Sequence, residues 1–237
     1  SYFSRSDSVV RRLTYPSLFE GDWLMVWLPL RASLILALVI SLQGIPLGNA
    51  LGGDVVAIEE HWQLSVGGPE IDRCAPQVTM VMSPVDNLNG DYFVFLVNHA
   101  TFPQFAPGGL QLQRWIEDSV ATTSNSDHNG ILSYDQETVS WVQRMTLEEG
   151  VLTLDIEDGL SQSWGAFGQG ANLSLSVNTN LERLNNYRPS ISIGDSGIAF
   201  AGNRVSSLVL TKLVWTTEDG TVQEMVAPID IDTDIDP

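Results

Sequence analysis

The sequence predicts an all-β protein, a two-sheet antiparallel β-sandwich that follows an N-terminal signal helix. Three observations lead there. Beyond Asp54 the apolar residues recur with a period of two, clusters of Gly, Pro, Asn and Asp interrupt them every ten or so residues, and an isolated apolar run stands near the N-terminus.

The alternation places strands over residues 62–66, 78–82, 92–98, 110–117, 138–147, 151–157, 173–179, 197–201 and 207–216, with a short last one over 221–226. No stretch beyond the N-terminal run carries a convincing helical period. In the segment from Val151 to Glu157, Val151, Thr153 and Asp155 fall on one face, and Leu152, Leu154 and Ile156 fall on the other. One face is wetter than the other, as in an antiparallel sheet packed on a second sheet. Asn89-Gly90, Glu149-Gly150 and Asp219-Gly220 supply the residues that tolerate the positive backbone angles of tight hairpin turns. Three connections are long. Residues 98–109 carry Phe102 and Phe105, residues 119–130 form a polar Ser/Thr/Asn/Asp tract expected to be a flexible loop, and residues 159–171 are glycine-rich around Trp164 and Phe167.

From Met25 the sequence reads MVWLPLRASLILALVISLQGIPLGNA, with Arg31 ahead of an apolar stretch over 34–42 and the small residues Gly48 and Ala50 at its end. A bilayer-spanning helix needs roughly 20 apolar residues, so this shorter run suits a signal peptide that begins near Met25 and is cleaved near Ala50. Left uncleaved it would be the only link to a membrane. The four arginines before it would stay cytoplasmic and the domain would still face outward. The expected organisation is an upstream extension and signal segment over 1–50, one β domain over 51–229 and an acidic tail over 230–237. The expected location is secreted or in the cell envelope.

The segment over 1–50 holds 4 of the 11 basic residues and 3 of the 29 acidic ones, which leaves 7 basic against 26 acidic, near −19. That field repels phosphate backbones, so nucleic acid is excluded as a partner and a glycan or protein ligand is favoured. Cys74 is the single cysteine, so an intrachain disulfide is impossible and apolar burial must hold the domain.

The C-terminal half, with SWGAFG followed by YRPSISIGDSGIAFAGNRVSSLVLTKLVW, resembles the closing strands of concanavalin-like or laminin-G-like jelly rolls. It also resembles uncharacterised exported proteins of planctomycete-type bacteria. The likeness covers residues 164–215 and brings no active-site motif with it. It implies a jelly-roll form of the sandwich and no particular activity.

Catalytic patterns are sparse. Glycosidases need two carboxylates across a cleft, and the nearest candidate is the run Asp155-Ile156-Glu157-Asp158. His61, His99 and His128 stand singly, without metal-ligand spacing. There is no Gly-x-Ser-x-Gly elbow, P-loop or dinucleotide fingerprint. Structural calcium is the one cofactor the composition suits, with Asp86, Asn87, Asn89 and Asp91 as clustered oxygen ligands. The same residues also serve hairpin turns without any metal. For ligand contact the candidates are Trp164 and Phe167 in the glycine-rich connection and Asn186, Tyr187 and Arg188 in a second polar and aromatic cluster. The reading is a non-catalytic, exported binding or surface-interaction module, with glycan as one ligand class. The alternatives are a glycoside hydrolase or lyase of the same fold with an atypical site, and an envelope structural protein.

Overall fold

The computed structural model describes residues 53–67, 77–97, 109–128, 130, 132, 134, 136–170, 172–200, 204–226 and 228–232. The expected signal segment, Cys74, His99 and most of the 98–109 connection lie outside the described residues. Two antiparallel sheets account for nearly all of the regular structure, and both lie in one compact unit.

The large sheet has eight strands and is built around β1 (Val55–Val66), which pairs with β6 (Glu137–Glu148) on one side and β11 (Val205–Thr217) on the other. β7 (Val151–Ser161) continues it to β8 (Gly165–Phe167) and β9 (Ser174–Asn178), while β12 (Val222–Met225) and the short β13 (Ile229–Asp230) pair with β11. The small sheet runs in the order β10 (Gly197–Phe200), β2 (Gln77–Met82), β3 (Asp91–Val97), β4 (Leu110–Ile116) and β5 (Ser119–Asn125). A seven-residue helix, α1 (Pro189–Asp195), precedes β10.

Period-two alternation decides which side chains meet. Ile58, Trp62, Leu64 and Val66 of β1, Trp141, Met145 and Leu147 of β6, and Val78, Met80, Phe93, Phe95, Leu110 and Leu112 of the small sheet are all buried in one core. Phe95 touches both Trp141 across the layers, with ring centroids 5.8 Å apart, and Phe167, at 6.5 Å. A second, smaller apolar cluster lies on the opposite face of the small sheet, with Val81, Tyr92, Val94 and Leu96 buried beside Leu88 and Trp115. There Trp115 Nε1 donates to Gln113, Gln113 to Gln111 and Gln111 to Asn125, at 2.6–2.8 Å. The outward-facing residues of β4 are thus joined to β5 by a chain of amides.

Local structure departs from expectation at several places, among them four that bear on the fold. The polar tract after Ser119 is strand β5, because β4 supplies the register that its own Ser/Thr composition does not encode. The tail starts with β13, where Asp230 pairs with Val209 and its Oδ1 accepts the Leu208 amide at 3.0 Å. α1 was not signalled, since seven residues are too few to show a helical period; Pro189 at its first turn has the fixed φ that a helix start favours. Asn89-Gly90 does not make the two-residue turn, because neither residue has positive φ and residues 83–90 form a longer connection. Glu149-Gly150 does, with φ of 49° and 76° directly joining β6 to β7, and Gly220 has φ of 82° in the β11–β12 turn.

The glycine-rich connection has a packing reason. A Cβ on Gly159 would lie 2.2 Å from the Phe167 ring, so glycine is what lets that ring lie across β7 and reach the core. Gly159→Ala is expected to expel the ring and destabilise the domain by about 1–3 kcal/mol. Denaturant unfolding of the two proteins measures the difference, and equal midpoints would contradict this packing.

Candidate functional site

Glu60 points into the core from the middle of β1. It is in phase with Ile58, Trp62 and Leu64 and has no exposed surface. Its cross-strand neighbour on β6 is Gln143, also fully buried, and Gln143 Nε2 donates to Glu60 Oε2 at 2.9 Å. Trp62 Nε1, two residues along the same face, donates to that oxygen at 2.9 Å. Tyr187 closes the other side, its hydroxyl in a short hydrogen bond to Glu60 Oε1. Ser192 Oγ of α1 faces the same carboxylate but closes no hydrogen bond of ordinary geometry with a described atom.

Among the described residues no charged side chain balances Glu60; its surroundings are Ser192, Tyr187, Trp62 and Gln143. Burial penalises the anion and raises the Glu60 carboxyl above its ordinary value of 4.5, with the hydrogen bonds opposing this. Tyr187 is held well above its ordinary range, first by burial and then by the carboxylate beside it. The pair can share a proton and holds the chain between β9 and α1 against the large sheet.

That chain is fastened at a second place. Leu184 N donates to Val55 O at 2.7 Å, and Asn185 accepts the Val55 amide at 2.7 Å while donating to Asp54. Arg188 donates to the carbonyls of Asn185 and Tyr187 at 3.1 and 2.8 Å, and Asn186 is exposed. Of the expected contact residues, then, Tyr187 is a core side chain, Arg188 braces its own turn and Asn186 alone faces solvent freely. Trp164 and Phe167 are also core residues, 5% and 1% exposed, with their rings edge to face at 6.2 Å. Trp164 N is held by Ser161 Oγ at 2.8 Å and its Nε1 reaches the Gly130 carbonyl at 3.2 Å. The physical reason is volume: rings flanked by glycines fill the end of the core. They offer no exposed aromatic platform.

A second buried carboxylate, Glu137, sits beside this loop. Its oxygens accept the Ser163 amide at 2.8 Å and the Ser163 hydroxyl at 2.5 Å, which closes the β7–β8 turn.

The proposed calcium ligands are taken up locally. Asp86 Oδ1 accepts from Asn87 Nδ2 at 3.0 Å, Asn87 Oδ1 accepts the Asn89 amide at 3.0 Å, and the Asn87 carbonyl accepts Ser83 Oγ at 2.7 Å. Asp91 Oδ1 is gripped by Arg114, both Nε and an Nη at 2.7 Å. These contacts fit a self-braced turn. Among the described residues no three His, Cys, Asp or Glu side chains converge as a metal site would require.

The solvent face of the large sheet is chemically richer. Pairing aligns Glu59 of β1 with Arg144 of β6 and Arg144 with Asp155 of β7, and the next row places Lys212 beside His61 and Val142 beside Glu157. Arg144 lies 3.8 Å from Glu59 and 3.6 Å from Glu157, and His61 Nε2 lies 3.4 Å from Glu59. These side chains are 26–41% exposed, open to a ligand but held in place by the sheet. His61 is lowered from its ordinary value, first by burial and then by Lys212. Sequence reading singled out Asp155 and Glu157 for their adjacency; only cross-strand register brings in Glu59, His61, Arg144 and Lys212.

Comparison with protein-family models, curated proteins and solved structures gives no match.

Because the folded state retains the Glu60 proton to higher pH than the unfolded chain does, the Glu60 contribution is fully present below about pH 4.5 and is lost as pH rises through the elevated folded value. Glu60→Gln is expected to flatten this part of the stability–pH curve, as followed by thermal unfolding from pH 4 to 8. A wild-type curve that rises across that window for this residue would contradict the assignment. Tyr187→Phe, which strips a donor from the buried carboxyl, is expected to cost about 1–3 kcal/mol in urea unfolding.

Proposed function

We propose that this is an exported, non-catalytic β-sandwich of jelly-roll type that acts as a binding or surface-interaction module. The observation that carries the reading is the divided use of charged groups. Glu60 and Glu137 are sealed inside, whereas the partly exposed Glu59, His61, Arg144, Asp155 and Glu157 stand in register on the solvent face of the large sheet. Arg144 is the centre of that face, with Glu59 and Glu157 on either side and His61 and Gln63 along the same strand face. Alternating donors and acceptors fixed on a rigid sheet suit a ligand rich in hydroxyl groups, and a glycan is the class proposed. Export rests on the N-terminal segment from Met25 to Ala50.

A glycan array, followed by calorimetry with and without calcium, tests the module. Arg144→Ala is expected to weaken the ligand it finds by about tenfold or more, since charge-assisted hydrogen bonds contribute roughly 1.5–3 kcal/mol. No ligand in either condition, or unchanged affinity in the variant, would count against this face.

One observation favours a hydrolase as the second reading: two partly exposed carboxylates, Glu59 and Glu157, flank a single arginine. Polysaccharide cleavage by the wild type that is lost in Asp155→Ala or Glu157→Ala would replace the binding reading with this one.

A further inference from the structure

We propose that the free edge of β5 is a strand-addition site, and that its occupant is an extended segment of another polypeptide with an uncharged, β-branched centre and basic residues at both ends. The inference rests on the interaction-module reading and names a protein partner and a surface for it.

β5 is the last strand of the small sheet, and among the described residues no strand pairs with its far side. Six of its seven residues are exposed, including Val120 at 43%. Its sequence, SVATTSN, has no charge and no proline. Natural edges usually carry one of these, or a bulge or cover, because unpaired backbone groups recruit other strands. Among the described residues its protection is a bulge at Ala121, where Trp115 opposes Val120 and Arg114 opposes Thr122. Beyond it, Thr122 to Asn125 is regular.

The direction of the backbone groups follows from the ladder. Ser126 N donates to Leu110 O at 3.0 Å, which makes 110–126 a hydrogen-bonded pair. In an antiparallel ladder such pairs alternate, so Leu112–Ser124 and Arg114–Thr122 carry the bonds to β4. The N–H and C=O of Thr123 and Asn125 therefore point away from β4, to the open side. They are the groups an added strand would use.

Charge selects the occupant. Glu117 and Asp118 stand at one end of β5 and Asp127 at the other, while the nearby Arg114 is engaged by Asp91. A second copy paired antiparallel about Thr122 would set Glu117 against Asp127, like charge against like. Basic ends on the added strand reverse that sign. Overall acidity, −18 for the chain, acts the same way at long range.

The probe is an end-blocked peptide, Lys-Thr-Val-Thr-Val-Thr-Lys, and a control with Glu at both ends, titrated into the full chain and read by fluorescence anisotropy. Amide NMR shifts at Thr123 and Asn125 locate the contact. Wild type is expected to bind the lysine peptide at least about tenfold more tightly than the glutamate peptide. Thr123→Pro removes an outward N–H while sparing the bonds to β4, and proline is tolerated on edge strands, so this variant should keep its fold and lose the peptide. The double variant Asp118→Lys, Asp127→Lys leaves the ladder untouched and should remove the preference for lysine ends; it decides the matter if Thr123→Pro does not fold. No binding by wild type, equal binding by Thr123→Pro, or a preference unchanged in the double variant would overturn the proposal. So would reversible dimers in sedimentation that Thr123→Pro dissolves, which would make the occupant a second copy. Arg144→Ala separates the two sites. A peptide that fails while the large-sheet ligand still binds defeats the edge site alone, and loss of both defeats the module itself.

Discussion

The arrangement around Glu60 constrains the rest of the structure. A carboxyl group in the middle of the central strand, with no counter-cation among the described residues, can be buried only if hydrogen-bond donors surround it, because an unsatisfied one costs several kcal/mol. Trp62 and Gln143 come from the same sheet, but Tyr187 lies far along the chain and arrives only when the segment after β9 folds back across β1. One carboxyl thus ties three distant parts of the sequence together. It also makes a single arrangement of that segment much better than its competitors, which is how a buried polar group gives a core specificity as well as cost.

The same economy explains why the aromatic residues lie where they do. Trp62 and Trp141 fill the centre, Trp164 and Phe167 fill one end, and Phe95 links the two layers. These rings are used for packing and are not offered to other molecules. The large sheet presents a charged row and the small sheet presents the uncharged edge of β5. These surfaces differ in chemistry, one offering fixed side-chain donors and acceptors and the other an unfinished backbone ladder.

Much of the strand pattern was legible because burial on one face of a strand writes itself into every second residue. β2, β3, β4, β6 and β11 lie close to where alternation puts them. β5 was not legible, since an exposed edge buries neither face and so leaves no alternation. Nor was the first half of β1. There Glu60 interrupts the apolar phase of Ile58, Trp62 and Leu64, although its place in that phase was itself a signal of a buried acid. Gln143 carries the same mark between Trp141 and Met145.

By itself the sequence determined the class of the fold, the acidity of the domain and its dependence on apolar burial without an intrachain disulfide. Each is a property of composition or of short-range periodicity, readable without knowing what lies opposite. Only the tertiary structure decided that Tyr187 and Trp164 are interior, that Asp91 belongs to Arg114, and that Arg144 sits between Glu59 and Glu157. The reason is that strand register sets these neighbours. Register depends on pairings beyond the reach of a local pattern, from Asp91 with Arg114, 23 residues apart, to Glu60 with Gln143, 83 residues apart.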